Sequence, residues 1–294
     1  MSADQAANHP TQSAFKCLLW RVMAFMAVLV LGRFVLEVAG VPLTVTRFFS
    51  STAGIFLAAI YLAAVGPLRG GMLKLKDLPL SALILSAWTV GCIMVVTVIA
   101  ALLRLERSHF ANPEDFGNWG ELGKHLAGHL VELVVFFVLN LIIMAAIQTL
   151  WRWPVTVGPG AIIGALVIMR FTLEAMGVDA VRTAPWSSTM GVFVSAIFLG
   201  AMAPRLGMTQ SRSLLWPSLA IAYVWRFWIL LVTLLSALMP FFQTHFFDPA
   251  QGQVAWRLLR FFVGGVLVEG LIVSLLVWGI AVWISRATRP ATAA

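Results

Sequence analysis

Two pairs of oppositely charged residues lie within long apolar segments of the sequence. Arg33 and Glu37 are four residues apart, and Arg170 and Glu174 repeat the same spacing. Residues four apart lie on one face of a helix, so we expect each pair to form an ion pair. Charged side chains within a bilayer are costly and usually face the interior of a helix bundle with partners. The two pairs are therefore the first candidates for binding an ion or a small solute.

Two further carboxylates, Glu132 and Glu269, lie in later apolar segments. A rise of about 1.5 Å per residue places Glu132 at about the same membrane depth as Arg33 when their helices run in opposite directions. We therefore predict two buried clusters, each with a surplus negative charge or one bound proton. Such clusters suit a protonatable or cation-binding site, and a structural clamp that fixes helix register is the alternative. The predicted clusters are Arg33, Glu37 and Glu132, and Arg170, Glu174 and Glu269.

A single arginine, Arg226, lies in the middle of the seventh apolar segment, close to Trp225 and Trp228. An arginine near the centre of a bilayer is among the most costly residues to insert. Arg226 has three expected roles: it binds an anionic substrate, stacks on the tryptophans, or neutralises the surplus carboxylate of the second cluster. The third role is slightly favoured. Arg226 completes the seven charged residues predicted to bind an ion or substrate.

Three side chains at the start of the fourth apolar segment have the spacing of metal ligands. His125 and His129 are four residues apart, and Glu132 follows one turn later. Imidazole nitrogens at this spacing converge on one face of a helix and suit zinc or another divalent ion. Polar residues at the membrane interface, or a pH-responsive histidine pair, are the alternatives. The sequence predicts no cofactor, and a single divalent metal is the one candidate.

The sequence Ser-Ser-Thr-x-Gly begins at Ser50 and again at Ser187. Hydroxyl groups at this position can cap the free N–H groups at the start of a helix. A helix N-terminus also attracts anions, so an anion site is the second interpretation of the motif.

The composition places these residues on membrane helices. Of the 294 residues, 61% are hydrophobic and 11% are charged, compared with about 45–50% and about 25% in soluble domains. Eight apolar segments are expected to cross the membrane as helices, and the second and sixth of them are short. We therefore predict an all-α polytopic integral membrane protein. The segments are 17–39, 52–68, 78–103, 126–150, 155–176, 189–203, 214–241 and 261–284.

The two halves of the sequence form an internal repeat. The segment 33–67 aligns without gaps with the segment 170–204, and 17 of the 35 aligned positions are identical. We therefore predict two four-helix repeats, and an even number of helices per repeat makes them parallel, with an axis along the membrane normal. The expected organisation is a disordered cytoplasmic tail (1–15), a first repeat (16–152), a second repeat (153–287) and a C-terminal tail (288–294).

The distribution of basic residues predicts the orientation in the membrane. Lysine and arginine in short loops favour the cytoplasmic side, and here they accumulate in the loops on the side of the N-terminus. We expect both termini in the cytoplasm, with loops 104–125 and 242–258 on the opposite side. The expected location is a bacterial inner membrane.

These features favour a membrane transporter or a channel-like protein for an ion or small solute. A non-catalytic membrane subunit or assembly factor, with a protein partner at loop 104–125, is the second hypothesis. A metal-dependent enzyme centred on His125, His129 and Glu132 is the third, and an enzyme is less favoured because no nucleotide-binding or nucleophile motif is present. The net charge of +8 comes from scattered residues, which argues against a nucleic-acid partner. The lipid bilayer and a small ion or solute are the expected partners.

Overall fold

The computed structural model describes residues 3–69, 77–208, 210–238, 244–247 and 254–288 of the chain. These residues are mainly helical, and the described part contains no β-pairing beyond an isolated bridge between Thr244 and Phe247. Within these described ranges, eight helices are long and apolar enough to cross a membrane, which confirms the predicted number. The chain is thus all-α and compatible with a multi-pass membrane protein.

The chain divides into two compact units, Met1–Gln148 and Thr149–Ala294, and each contains four of the candidate membrane helices. Those of the first unit are α1 (Ala3–Val38), α2 (Ser51–Val65), α3 (Leu78–Leu102) and α4 (Trp119–Leu150). Those of the second unit are α5 (Val157–Ala175), α6 (Ser188–Met202), α7 (Leu215–Leu238) and α8 (Gly270–Ala287). A short helix, Val254–Arg260, and a π-helix, Phe261–Glu269, lead directly into α8.

Helix α1 ends in a turn that the recurring Gly-Val sequence specifies. Gly40 has a φ of 88°, and its N–H donates to the carbonyl of Glu37, while the N–H of Val41 donates to that of Leu36. This pattern is a Schellman motif, in which glycine takes the left-handed position without steric cost. Helix α5 ends in the same way at Gly177, where φ is 82°. The same nine-residue pattern thus specifies a charged pair and the helix end beside it.

A short helix follows each of these turns and returns the chain toward the charged pair. The helices Leu43–Thr46 and Ala180–Thr183 continue into 3-10 turns that end at Ser50 and Ser187. Asp179 caps the second of them by accepting a backbone N–H. The last residue of each short helix is a threonine, and both threonines are fully buried.

In the first unit, α1 packs against α2 and α3. Helix α4 contacts α3 through a buried hydrogen bond from Asn140 to Ser86 (2.9 Å), and it contacts α2 through the rings of Phe56 and Phe136. An apolar core fills the end of the unit where α1 ends. Its members are Val30, Ile93, Val96, Ala100, Ala101, Phe110, Ala111 and Leu122.

In the second unit, glycines allow helices to approach closely. A Cβ at Gly200 of α6 would lie 2.7 Å from the carbonyl oxygen of Ala281 on α8. A Cβ at Gly164 of α5 would lie 2.5 Å from the indole ring of Trp228 on α7. Both distances are shorter than real contacts of a Cβ, so these interfaces depend on the missing side chain.

Three helices extend beyond the predicted segments. Helix α4 begins at Trp119 and the eighth span at Ala255, because a helix can continue through polar residues that a search for apolar segments omits. The first long loop is thereby shortened to 103–118. Helix α1 begins at Ala3 and so includes most of the predicted N-terminal tail. Residues 242, 243 and 248–253 of the predicted loop 242–258, and the C-terminal tail beyond Thr288, lie outside the described residues.

Candidate functional site

The carboxylate of Glu37 is buried at the end of α1 and accepts hydrogen bonds from three residues. The Nε of Arg33 donates to one oxygen at 3.0 Å, and the hydroxyl of Thr46 donates to the same oxygen at 3.1 Å. The backbone N–H of His109 (3.0 Å) and its Nδ1 (2.6 Å) contact the other oxygen. The structure therefore brings Arg33 and Glu37 together as predicted and adds Thr46 and His109.

The charges in this cluster are balanced without a bound ion. Burial, together with the charge of Arg33, lowers the pKa of His109, although the hydrogen bond to Glu37 opposes the shift. His109 is therefore neutral at pH 7, and its Nδ1 must hold the ring proton because an ionised carboxylate only accepts hydrogen bonds. Arg33 alone compensates Glu37, and both carboxylate oxygens have donors. This arrangement has the properties of a clamp that joins loop 103–118 to the end of α1.

The second unit contains a cluster with almost the same geometry. Glu174 accepts from the Nε of Arg170 at 3.0 Å and from the hydroxyl of Thr183 at 2.7 Å. The backbone N–H of His245 (2.9 Å) and its Nδ1 (2.5 Å) contact the second oxygen of Glu174. In both clusters the histidine ring packs on the following phenylalanine, with ring centroids 4.0 and 3.9 Å apart.

The prediction that Glu132 and Glu269 join these clusters is wrong. Glu132 lies on the exposed side of α4 and contacts the Nδ1 of His129 at 2.8 Å. Glu269, at the end of the π-helix, contacts the guanidinium of Arg226. Membrane depth alone does not show which face of a helix a residue occupies, and loop histidines fill the places that we assigned to these carboxylates.

Arg226 combines two of its three expected roles. Its guanidinium pairs with Glu269 and lies 4.1 Å from the ring centroid of Trp225, which is a cation–π distance. Within the described residues the Nε of Arg226 has no hydrogen-bond partner, although the side chain is buried. Arg226 thus neutralises a carboxylate, but that carboxylate lies outside the Glu174 cluster.

The two histidines of α4 face different carboxylates. The Nδ1 of His125 contacts Asp115 at 2.8 Å, whereas that of His129 contacts Glu132 at 2.8 Å, and the Nε2 of His129 lies 3.3 Å from the hydroxyl of Thr97. In the described part of the chain, no three His, Cys, Asp or Glu side chains are grouped so that they could hold a metal ion. The geometry therefore favours two histidine–carboxylate pairs over a shared metal.

The Ser-Ser-Thr-x-Gly motif has different contacts in the two units. Ser50 caps α2, because its hydroxyl accepts from the N–H of Ala53 at 3.2 Å. Ser187 occupies the corresponding N-cap position of α6 but makes no such side-chain bond. The next residue, Ser188, accepts from the indole Nε1 of Trp225 at 2.9 Å. Capping thus explains the motif in the first unit. In the second unit it does not explain the hydroxyl groups of Ser187 and Ser188.

Those hydroxyl groups line a cavity of about 230 Å³ in the second unit. Its apolar wall includes Val167, Ile229, Phe246 and Phe261. The cavity thus has a polar wall, an apolar wall and a direct connection to the Arg170–Glu174–His245 cluster. The polar residues that line it are Arg170, Ser187, Ser188, Thr189, Thr233 and His245.

The sequence interpretation missed His245 and gave no role to His109, Thr46 or Thr183. A signal for the histidines is present, because Ser-His-Phe at 108–110 recurs as Thr-His-Phe at 244–246. The second triplet lies one position earlier than the alignment of 33–67 with 170–204 would place it. This single-position difference puts the triplets outside an alignment without gaps, so a constant shift of 137 residues does not pair them.

Replacing His109 with alanine is expected to release loop 103–118. A hydrogen bond to a charged group contributes about 1.5–3 kcal/mol, so the loop should open about ten- to a hundredfold more often. Trypsin cleavage after the exposed Arg104 and Arg107 measures this opening. His129→Ala is the control, since it removes a histidine that contacts Glu132 and Thr97 rather than Glu37. Equal cleavage of the two variants would show that His109 does not hold the loop.

No protein-family model matches this chain, and no curated protein or solved structure matches it significantly. Its function must therefore be argued from the geometry of its own residues.

Proposed function

We propose that this protein is a membrane transporter or channel-like protein for a small ion or solute. The observation that supports the proposal is the cavity beside Arg170 and His245, which brings charged and hydroxyl groups together within an apolar helical unit. A polar cavity in such a unit needs a partner for its polar groups, because polar groups prefer water or a hydrogen-bond partner to apolar surroundings.

The proposal gives different roles to the seven charged residues of the sequence analysis. Glu37 and Glu174 act as clamps, because all their oxygens already have donors. Arg33 donates a hydrogen bond to Glu37 in the first clamp. Arg170 does the same for Glu174 in the second clamp and also lines the cavity. Glu132 pairs with His129, and Glu269 pairs with the buried Arg226, so these three charged residues stabilise helices rather than bind the solute.

The recurring clusters also support the proposed architecture. The arginine–glutamate bond is 3.0 Å long in both clusters, and the threonine–glutamate bonds are 3.1 Å at Glu37 and 2.7 Å at Glu174. We infer that the two units are parallel four-helix repeats that arose by duplication. Positive charge on the side of the N-terminus supports cytoplasmic termini and a bacterial inner-membrane location.

The saturated clamps favour a second candidate, a non-catalytic membrane subunit. A protein that needs only structural charges would have carboxylates whose donors are complete, as Glu37 has. The cavity in the second unit makes transport the better candidate, because a purely structural unit has no need of it.

Tracer exchange in liposomes tests the transport proposal. The full chain is reconstituted into vesicles loaded with unlabelled chloride, propanesulfonate or glycerol, and uptake of the same labelled solute is measured. Tracer exchange detects channels, uniporters and exchangers alike. Propanesulfonate is the organic anion of choice because it stays ionised and so does not leak across the bilayer as a neutral acid. We expect at least tenfold faster uptake of one solute than in protein-free vesicles.

A variant that fills the cavity connects any flux to this site. Thr233→Phe places a ring in the cavity and should reduce uptake to the rate of protein-free vesicles. Val194→Phe adds the same bulk on an exposed face of α6 and should have no effect. Uptake of all three solutes at the protein-free rate would contradict the proposal.

A further inference from the structure

The cavity of the second unit combines groups that bind a negative charge. Arg170 uses its Nε for Glu174 at 3.0 Å, and the guanidinium has two further nitrogens that can make a forked contact with a carboxylate. Ser187, Ser188 and Thr189 add hydroxyl groups from the beginning of α6. One end of the cavity is therefore suited to an anionic group.

The charge balance selects the kind of anion. Glu174 already compensates the charge of Arg170, so the remaining attraction comes from the guanidinium N–H groups that Glu174 does not use and from the partial positive charge at the N-terminus of α6. This attraction suits a single negative charge. A dianion such as phosphate would bring more negative charge into an apolar unit than these groups can offset.

The opposite wall selects for an apolar portion of the ligand. Val167, Ile229, Phe246 and Phe261 line the cavity, and the side chain of Val167 is almost completely buried. A volume of about 230 Å³ corresponds to roughly eight water molecules at about 30 Å³ each. It is smaller than the roughly 300–1,000 Å³ typical of drug-sized ligand sites. The space suits a short chain rather than a single inorganic ion.

The first unit differs from the second at positions that correspond to the lining of the cavity. At the positions that align with Val167 and Thr233 in the repeat, the first unit has Val30 and Val96, which are fully buried in an apolar core with Phe110. Ser50 caps α2 there, whereas Ser187 lines the cavity. The two clusters are otherwise alike. Thr233 and the uncapped Ser187 are therefore features of the cavity and not of the clamp.

We propose that the cavity between α5, α6 and α7 binds a short-chain monocarboxylate, with its carboxylate at Arg170 and the start of α6 and its chain against Phe246 and Phe261. This inference rests on the proposed function and names the class of its solute. Thr233 and the hydroxyl groups of α6 supply the remaining polar contacts.

Equilibrium dialysis of labelled butyrate against the purified full chain in detergent micelles tests the proposal. We expect saturable binding that unlabelled butyrate displaces and that the uncharged isostere butyramide and inorganic phosphate displace at least tenfold less well. No saturable binding would overturn the proposal. Equal displacement by butyramide would show that charge is not recognised, and better displacement by phosphate would show an inorganic anion site; both results overturn it.

Matched variants locate the binding. Arg170→Lys removes the forked contact and should weaken butyrate binding at least tenfold, whereas Arg33→Lys makes the same change in the clamp of the first unit and should leave binding unchanged. Thr233→Phe fills the cavity and should abolish binding even if Arg170→Lys fails to fold. Equal effects of Arg170→Lys and Arg33→Lys, or wild-type binding by Thr233→Phe, would place the ligand elsewhere and overturn the proposal.

The binding assay tests the monocarboxylate site and the flux assay tests transport, so either proposal can be contradicted without the other. Butyrate binding that depends on Arg170, without exchange of any solute, supports the site and contradicts transport. Exchange of chloride or glycerol without butyrate binding supports transport and overturns the monocarboxylate site.

Discussion

Replacing Glu37 with glutamine is expected to destabilise the first unit by about 3–5 kcal/mol, because the change leaves the buried guanidinium of Arg33 without its counterion. All the groups that surround this carboxylate donate hydrogen bonds, so the amide NH₂ of glutamine would face at least one further donor. The shape of the side chain hardly changes, so the loss reports charge and hydrogen bonding. Unfolding in mixed detergent micelles, monitored by circular dichroism, measures it.

The matched control is Glu132→Gln, which makes the same chemical change on the exposed side of α4. It removes the charge from an ion-pair contact with His129 in which the Glu132 side chain is half exposed. We therefore expect little change in the free energy of unfolding. Glu174→Gln should resemble Glu37→Gln, since its carboxylate has the same set of donors. If Glu37→Gln is no less stable than Glu132→Gln, Glu37 is not a clamp.

Replacing Gly200 with alanine is expected to destabilise the second unit, although alanine is the better helix former. The new Cβ would lie 2.7 Å from both the carbonyl oxygen of Ala281 and the Cβ of Ile284, and a carbonyl of the facing helix cannot move aside as a flexible side chain can. Overpacking of this kind costs about 1–3 kcal/mol, and the gain in helix propensity of about 1 kcal/mol offsets only part of it. The same unfolding assay measures the difference.

Gly279 of α8 provides the comparison for this substitution. A Cβ at Gly279 has no atom of the described structure within 4 Å. Gly279→Ala therefore gains helix propensity without a steric cost and should be as stable as the wild type or more stable. A Gly200→Ala variant that matches Gly279→Ala in stability would show that α6 and α8 do not pack as closely as described.

The sequence predicts the class of the protein and several local features. Long apolar segments identify the eight candidate membrane helices of the described residues, because a bilayer requires a fixed length of apolar helix whatever the neighbours are. The four-residue spacing of Arg33 and Glu37 predicts their ion pair, because both residues lie on one helix. The capping role of Ser50 is also local, and the structure has it.

The tertiary structure alone decided which residues complete each cluster. His109 lies 72 residues from Glu37, and no helical period relates them. Membrane depth suggested Glu132 instead, but depth does not specify which face of α4 is turned inward, and Glu132 lies outside.

The cavity shows most clearly that local sequence patterns do not predict packing between distant segments. Recurring motifs made the two units look equivalent, yet Val96 closes the first core while Thr233 lines a cavity in the second. The sequence by itself thus determined the membrane helices, the recurring charged pairs and the helix ends, because these depend on neighbours in the chain. Only the tertiary structure decided the clamps and the cavity, because they depend on packing between helices and loops that are distant in the sequence.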